Sequence, residues 1–349
     1  MSLDLLKGVA GAALSAVLVL GAPLAAEARE LVLYNWSDYT PPELLKRFTA
    51  ETGIAITLDL YDSNENMLAK LKAGGSGYDV VVPSDYMVKI MADEGMLIDI
   101  GVNTMANFKY VEGPLKSPYF DPERKYTAPY MYGTTSFSYD TAAITGLEAS
   151  WKEFFEPREE LKGKIAVLND QVEVINNALR YLGLPLCNES PADMKKVQEL
   201  LLKQKPYVAL YNSDGTHERL AAKEVVMHMQ WNGAAHRAKS VLPSIDYVYA
   251  KEGVSLWADN FAVPVGAKNI EEAKIFINWM MDPKNIAEAS NFTGYMGAIP
   301  AAAPYLDDSL KTDPAVVPPA GTDKLFIMAP PCGVKAKELM DKVWTNVRK

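Results

Sequence analysis

Short apolar runs alternate with amphipathic stretches along this chain, and they do so in two separate blocks. Residues 30–34 (Glu-Leu-Val-Leu-Tyr) read as a strand, 41–51 as a helix opened by Pro41 and Pro42, and 54–60 as an alternating strand. A helix over 63–72 follows, with Asp62 or Ser63 as its cap and Glu65 near the capping-box position. The run 78–83 then has the continuous apolar character of a strand inside a parallel sheet. In the second block, 164–168, 208–211 and 225–230 read as strands, and 172–182 and 194–205 as helices. Strands that alternate with helices pair in parallel, because the helix supplies the crossover that a parallel connection needs. No repeat of about 20 to 50 residues marks a solenoid.

Between the blocks lie extended runs over 126–131 and 134–140, on either side of Gly133, and a similar extended run over 254–263 follows the second block. They are candidates for chain crossings between two lobes. A chain of 349 residues that is 49% hydrophobic also favours two lobes over one. The expected fold class is therefore α/β, two doubly wound lobes joined by extended crossing strands. The expected division puts 29–134 and 258–303 in lobe 1, and 135–257 and 304–349 in lobe 2.

Residues 1–28 read as a signal peptide: Lys7 is followed by an apolar run over 8–24 and a small-x-small site at Ala26-Glu27-Ala28. That run is shorter than a confident membrane span, and no other segment reaches about 18 uninterrupted apolar residues. No cysteine follows it to take a lipid, so the expected location is free in the periplasm. The formal net charge of −9 argues against a nucleic-acid partner and suits a cationic ligand. A monomer is expected. Cys187 and Cys332 are the two cysteines, and an exported chain permits a disulfide, but spacing alone leaves open whether they meet.

Ligands of such folds sit beyond the carboxyl ends of the strands, in the crevice. Here those positions carry one recurring chemistry. The first strand ends in Asn35-Trp36-Ser37-Asp38-Tyr39, and the 78–83 run ends in Pro83-Ser84-Asp85-Tyr86. The 164–168 strand runs into Asp170 and Glu173, three apart at a helix start, where an N-cap and the helix dipole alone would also account for them. Trp231 follows the 225–230 strand, Trp257 and Asp259 lie in the last crossing, and Tyr295 completes the set. No Lys or Arg stands among them. Carboxylates bind ammonium groups by charge-assisted hydrogen bonds and aromatic faces enclose the methylenes between, which describes a box for a linear polycation.

Enzyme constellations are missing: there is no Gly-x-Ser-x-Gly elbow, no phosphate loop and no Gly-x-Gly-x-x-Gly after a strand. Gly74-Gly75-Ser76-Gly77 reads as a helix stop and turn. His217, His228 and His236 lack zinc spacing, and no metal or cofactor is expected. A hydrolase with paired carboxylates is the rival from another class.

From Tyr34 onward the chain resembles the spermidine/putrescine-binding proteins of bacterial ABC transporters. The resemblance is carried by Tyr34-Asn35-Trp36-Ser37-Asp38-Tyr39, Tyr61-Asp62-Ser63-Asn64-Glu65, Tyr78-Asp79-Val80-Val81-Val82-Pro83-Ser84, Asn212-Ser213-Asp214, Trp231-Asn232-Gly233 and Trp257-Ala258-Asp259. It implies a two-lobed periplasmic binding protein fold of type II that closes over its ligand, with membrane permease subunits of an ABC importer as partners. It also implies roles. Trp36, Ser37, Asp38 and Tyr39 match one contact loop, Ser84, Asp85 and Tyr86 a second, and Asp170 and Glu173 the acidic pair. Ser213, Trp231, Trp257, Asp259 and Tyr295 match further pocket positions. Asp170 present with Ala234, where putrescine-preferring members carry an acid, is similar to the spermidine-preferring arrangement. The 325–328 segment has no clear match to the family's late polar contact. The alternative is an exported binder for another small cationic or amino-acid-like ligand.

Overall fold

The computed structural model describes residues 29–74 and 77–349. The expected signal segment, and Gly75 and Ser76 of the expected turn, lie outside the described residues. The strands are β1 (Glu30–Trp36), β2 (Ala55–Tyr61), β3 (Val80–Val81), β4 (Thr127–Asp140), β5 (Ile165–Val167), β6 (Val208–Tyr211), β7 (Met227–Trp231), β8 (Ile245–Val248), β9 (Val254–Ala262), β10 (Met296–Gly297) and β11 (Phe326–Met328).

They form one sheet in the order β2-β1-β3-β9-β4-β7-β5-β6, with β8 and β10 added on β4 and β11 on β9. The ends of this sheet are two parallel units, β2-β1-β3 and β7-β5-β6, and the antiparallel pair β9-β4 joins them. In each unit the earliest strand is central, so the chain leaves it on one side and returns on the other. That reversal opens a crevice between β1 and β3 in one unit and between β5 and β7 in the other. The two crevices face each other across the crossing strands.

The runs expected on either side of Gly133 are a single strand of 14 residues, β4, with a register shift between Pro129 and Tyr132. Its proline sits at that irregularity, where a missing N–H is tolerated. The helix ends follow their caps. Ser63 accepts from the Asn66 N–H at the start of the Asn64–Lys72 helix, and Ser190 caps the Pro191–Gln204 helix, which begins three residues earlier than periodicity implies.

Two cores flank the crossing. Leu31, Leu33, Leu44, Phe48, Phe276 and Ile277 belong to one, and Trp151, Phe154, Phe155, Leu179, Val197 and Met340 to the other. Leu306, Leu310 and Val316 pack into the first core, although the expected division at 303 and 304 gives them to lobe 2. Cys187 and Cys332 are bonded, tying the loop before the Pro191–Gln204 helix to the turn before the Val334–Arg348 helix within the second core. Among the described residues, no helix is long and apolar enough to cross a membrane.

Candidate functional site

A cleft lies between the two units, and all fourteen residues singled out on the sequence line it. They reach it from seven chain segments, because both crevices open onto the same space.

The β1 end supplies Trp36, Ser37, Asp38 and Tyr39. The Trp36 indole donates to the Val82 carbonyl at 2.9 Å, and the Tyr61 hydroxyl donates to the same oxygen at 2.6 Å, which fixes the two rings against each other. Asp38 takes a left-handed backbone, φ 56°, which its short polar side chain tolerates. Tyr39 donates from its hydroxyl to Asp259 Oδ2 at 2.7 Å.

The β3 end supplies Ser84, Asp85 and Tyr86. Ser84 Oγ donates to Asp259 Oδ1 at 2.6 Å, so both oxygens of that carboxylate already accept one hydroxyl each. Asp85 accepts from the Ala258 N–H at 3.2 Å and the Tyr119 hydroxyl at 3.0 Å, and so ties its helix to β9. Burial pushes Asp85 and Asp259 up to about 7. Tyr86 donates to Glu65 at 3.1 Å and accepts from Asn64 at 3.1 Å.

The opposite wall begins at β5. Asp170 caps the Gln171–Tyr181 helix by accepting from the Glu173 N–H at 3.0 Å, as its N-cap reading requires, while it also lines the cleft. Burial, then the nearby Glu65 and Glu173, hold its carboxyl well above the usual range. Burial raises Glu173 as well, opposed by the Ser255 hydroxyl and the Arg180 charge. Ser213 accepts from the Asn169 N–H at 3.0 Å and so pins the loop that carries Asp170.

Trp257 and Tyr295 pack edge to face at 5.3 Å, and Tyr295 meets Tyr39 likewise at 5.5 Å. Glycines make room for them. A Cβ on Gly133 would stand 2.6 Å from the Trp257 ring, and one on Gly233 would stand 2.5 Å from the Tyr295 ring. Trp231 closes the set at the end of β7, beside Ala234 on the helix that follows.

Other cleft residues escaped the sequence reading. Arg237 lines the cleft, so the wall is not free of cations; it sits three residues beyond Ala234 on the Asn232–Val241 helix, a spacing that points both into the cleft only once the helix is known to face it. His217 lies beside Asp38 and Glu218, with one ligand-type atom from each within 4.8 Å of the others. Burial and then Arg237 push His217 down to about 4, and the same Arg237 charge opposes a metal cation there. Asp62 accepts from the Asn169 side chain at 2.9 Å, a hydrogen bond that spans the cleft from one unit to the other. Ala329 stands where the 325–328 segment meets the cleft and brings no polar side chain.

The arrangement can hold an extended cation: carboxylates face the cleft from both units, and rings cover the surface between them. Residues 43–319 match the family model described as bacterial extracellular solute-binding protein. The chain is 36% identical over 296 residues to the spermidine/putrescine-binding periplasmic protein of Escherichia coli K12, covering 84% of each chain. It is 32% identical to the putrescine-binding periplasmic protein SpuD of Pseudomonas aeruginosa, covering 95% of each. A putative spermidine/putrescine ABC transporter structure from Listeria monocytogenes superposes with a TM-score of 0.87 at 29% identity, over 92% of this chain and 99% of that one.

Proposed function

The chain belongs to the bacterial extracellular solute-binding proteins, and from that premise we propose that it captures a polyamine in the cleft and delivers it to an ABC importer. One observation carries the reading: Asp38, Asp170, Glu173 and Asp259 converge on a space walled by Trp36, Trp231 and Trp257. Of these, buried Asp170 and Asp259 form no ion pair among the described residues, and a ligand ammonium supplies the counter-charge. The rings then take up the methylene surface, with about 0.5 to 2 kcal/mol from each cation–π contact.

On this reading the protein works in the periplasm as a monomer, its partners are the permease subunits of the importer, and nucleic acid is not a ligand. The fourteen residues named above are the ligand contacts. Spermidine is preferred over putrescine, since Asp170 and Glu173 together offer the additional negative charge that a triamine needs. We place the division between lobes in the β4 and β9 crossings, with 304–316 moving with the first lobe because Leu306, Leu310 and Val316 pack there. A second reading, an amine that also bears an acidic group, is favoured by Arg237 on the cleft wall.

Uptake of labelled spermidine in a strain deleted for the gene tests delivery. Loss of uptake, restored by the wild-type gene and not by Glu173→Gln, is expected. Unchanged uptake after deletion contradicts the proposal.

A further inference from the structure

Glu173 does not stand alone on its helix. Two turns along lies Arg180, only 7% exposed, and between them Asn177, fully buried. The Asn177 amide donates to Glu173 Oε2 at 3.3 Å, and its carbonyl oxygen accepts from Arg180 Nη1. Ser255 Oγ accepts from the same guanidinium nitrogen at 3.3 Å. Arg180 Nε and Nη2 have no hydrogen-bond partner among the described residues, so its charge is not spent on a carboxylate of its own.

We propose that Arg180, acting through Asn177, is the positioning residue that presents Glu173 as the anion on which a ligand ammonium docks; this rests on the polyamine reading of the cleft. A direct ion pair would draw Glu173 toward Arg180 and out of the cleft. Asn177 keeps the two apart while passing on a hydrogen bond, so Glu173 feels the cation and still lines the cleft.

Glu173 needs such support because acids crowd it. Asp170, on the same helix, is raised by Glu65 and Glu173 together, and Asp259 on β9 is raised by Glu173 in turn. Tyr86 and Tyr247 also face it, while Lys337 and Asp341 act on Glu65 from the Val334–Arg348 helix. In that company a shared proton goes to whichever carboxyl is least stabilised as an anion. Arg180 directs it to Asp170 and Glu65, away from Glu173.

Calorimetric titration with spermidine at pH 6 and pH 8.5 tests this with Arg180→Met. At pH 6 the variant binds more weakly than wild type by about tenfold or more, the worth of one pKa unit. At pH 8.5, where the higher pH favours the Glu173 anion in both proteins, the variant binds as tightly as wild type or tighter, since a repelling cation has gone. Arg180→Lys, which keeps a charge without the planar fork, gives an intermediate loss at pH 6 and carries the test if Arg180→Met does not fold. An equal loss at both pH values, or no loss at pH 6, overturns the proposal.

A ligand-free readout separates this from the polyamine reading. The Glu173 carboxyl resonance, assigned by Glu173→Gln, titrates at a lower pH in wild type than in Arg180→Met. No binding of spermidine by wild type with that difference intact defeats the ligand assignment alone, and an unmoved midpoint defeats the relay alone.

Discussion

Asp259 concentrates the chemistry of the cleft at one residue. Its carboxylate is buried, accepts from Tyr39 and Ser84, and sits near pH 7 because burial outweighs both hydrogen bonds. An unfolded Asp titrates near 3.9, so between about pH 4 and 7 the folded chain holds a proton that the unfolded chain has lost. Stability from this group is therefore present at the acid end of that window and declines as pH rises through it. A cationic ligand reverses the trend by favouring the anion, and binding near pH 6 must release protons. We expect calorimetric heats at pH 6 to vary with the ionisation enthalpy of the buffer, less so in Asp259→Asn. That variant should also lose about 2 kcal/mol or more of binding, the scale of a charged hydrogen bond, and its ligand-free Tm should change less between pH 5 and 7.5. A buffer-independent heat in wild type contradicts this account.

Helix and strand packing set where these side chains can stand. The start of the Asn232–Val241 helix presses against the end of the Pro283–Thr293 helix so closely that a Cβ on Gly294 would meet the Gly233 carbonyl oxygen at 2.5 Å. Gly233 in turn leaves space for the Tyr295 ring. Gly233→Ala is expected to cost about 1 to 3 kcal/mol by overpacking and to weaken ligand binding, read by thermal melting and titration of one preparation. Unchanged values for both contradict the packing role. Elements were legible in the sequence where local rules governed them, as with Ser63 and Asp170 as caps and the strand ends that bear Trp36, Tyr86 and Trp231. Residues whose meaning depends on a distant partner were not legible. Gly133 matters because Trp257 lies on it, Asp38 meets His217 only across the cleft, and Arg237 faces ligand space only because its helix does.

At the scale of the molecule, two parallel units hang on the antiparallel β4 and β9 crossing, and the cleft lies between them. The alternation of strand and helix made this architecture readable, since each unit obeys one crossover rule. That Leu306, Leu310 and Val316 pack with the first core was not legible, because membership of a core depends on packing, which these residues do not announce. The Asp62–Asn169 hydrogen bond is a direct tie between the units, so it should favour the closed arrangement. Asn169→Ala is expected to weaken affinity by about 0.5 to 1.5 kcal/mol, through faster dissociation in stopped-flow measurements; an unchanged dissociation rate contradicts that role. Calorimetric titration of the chain from residue 29 onward with spermidine, putrescine and cadaverine shows whether the cleft holds a polyamine. Saturable one-to-one binding at micromolar ligand or below, tightest for spermidine, is expected, and no heat for any of the three at that concentration would contradict it.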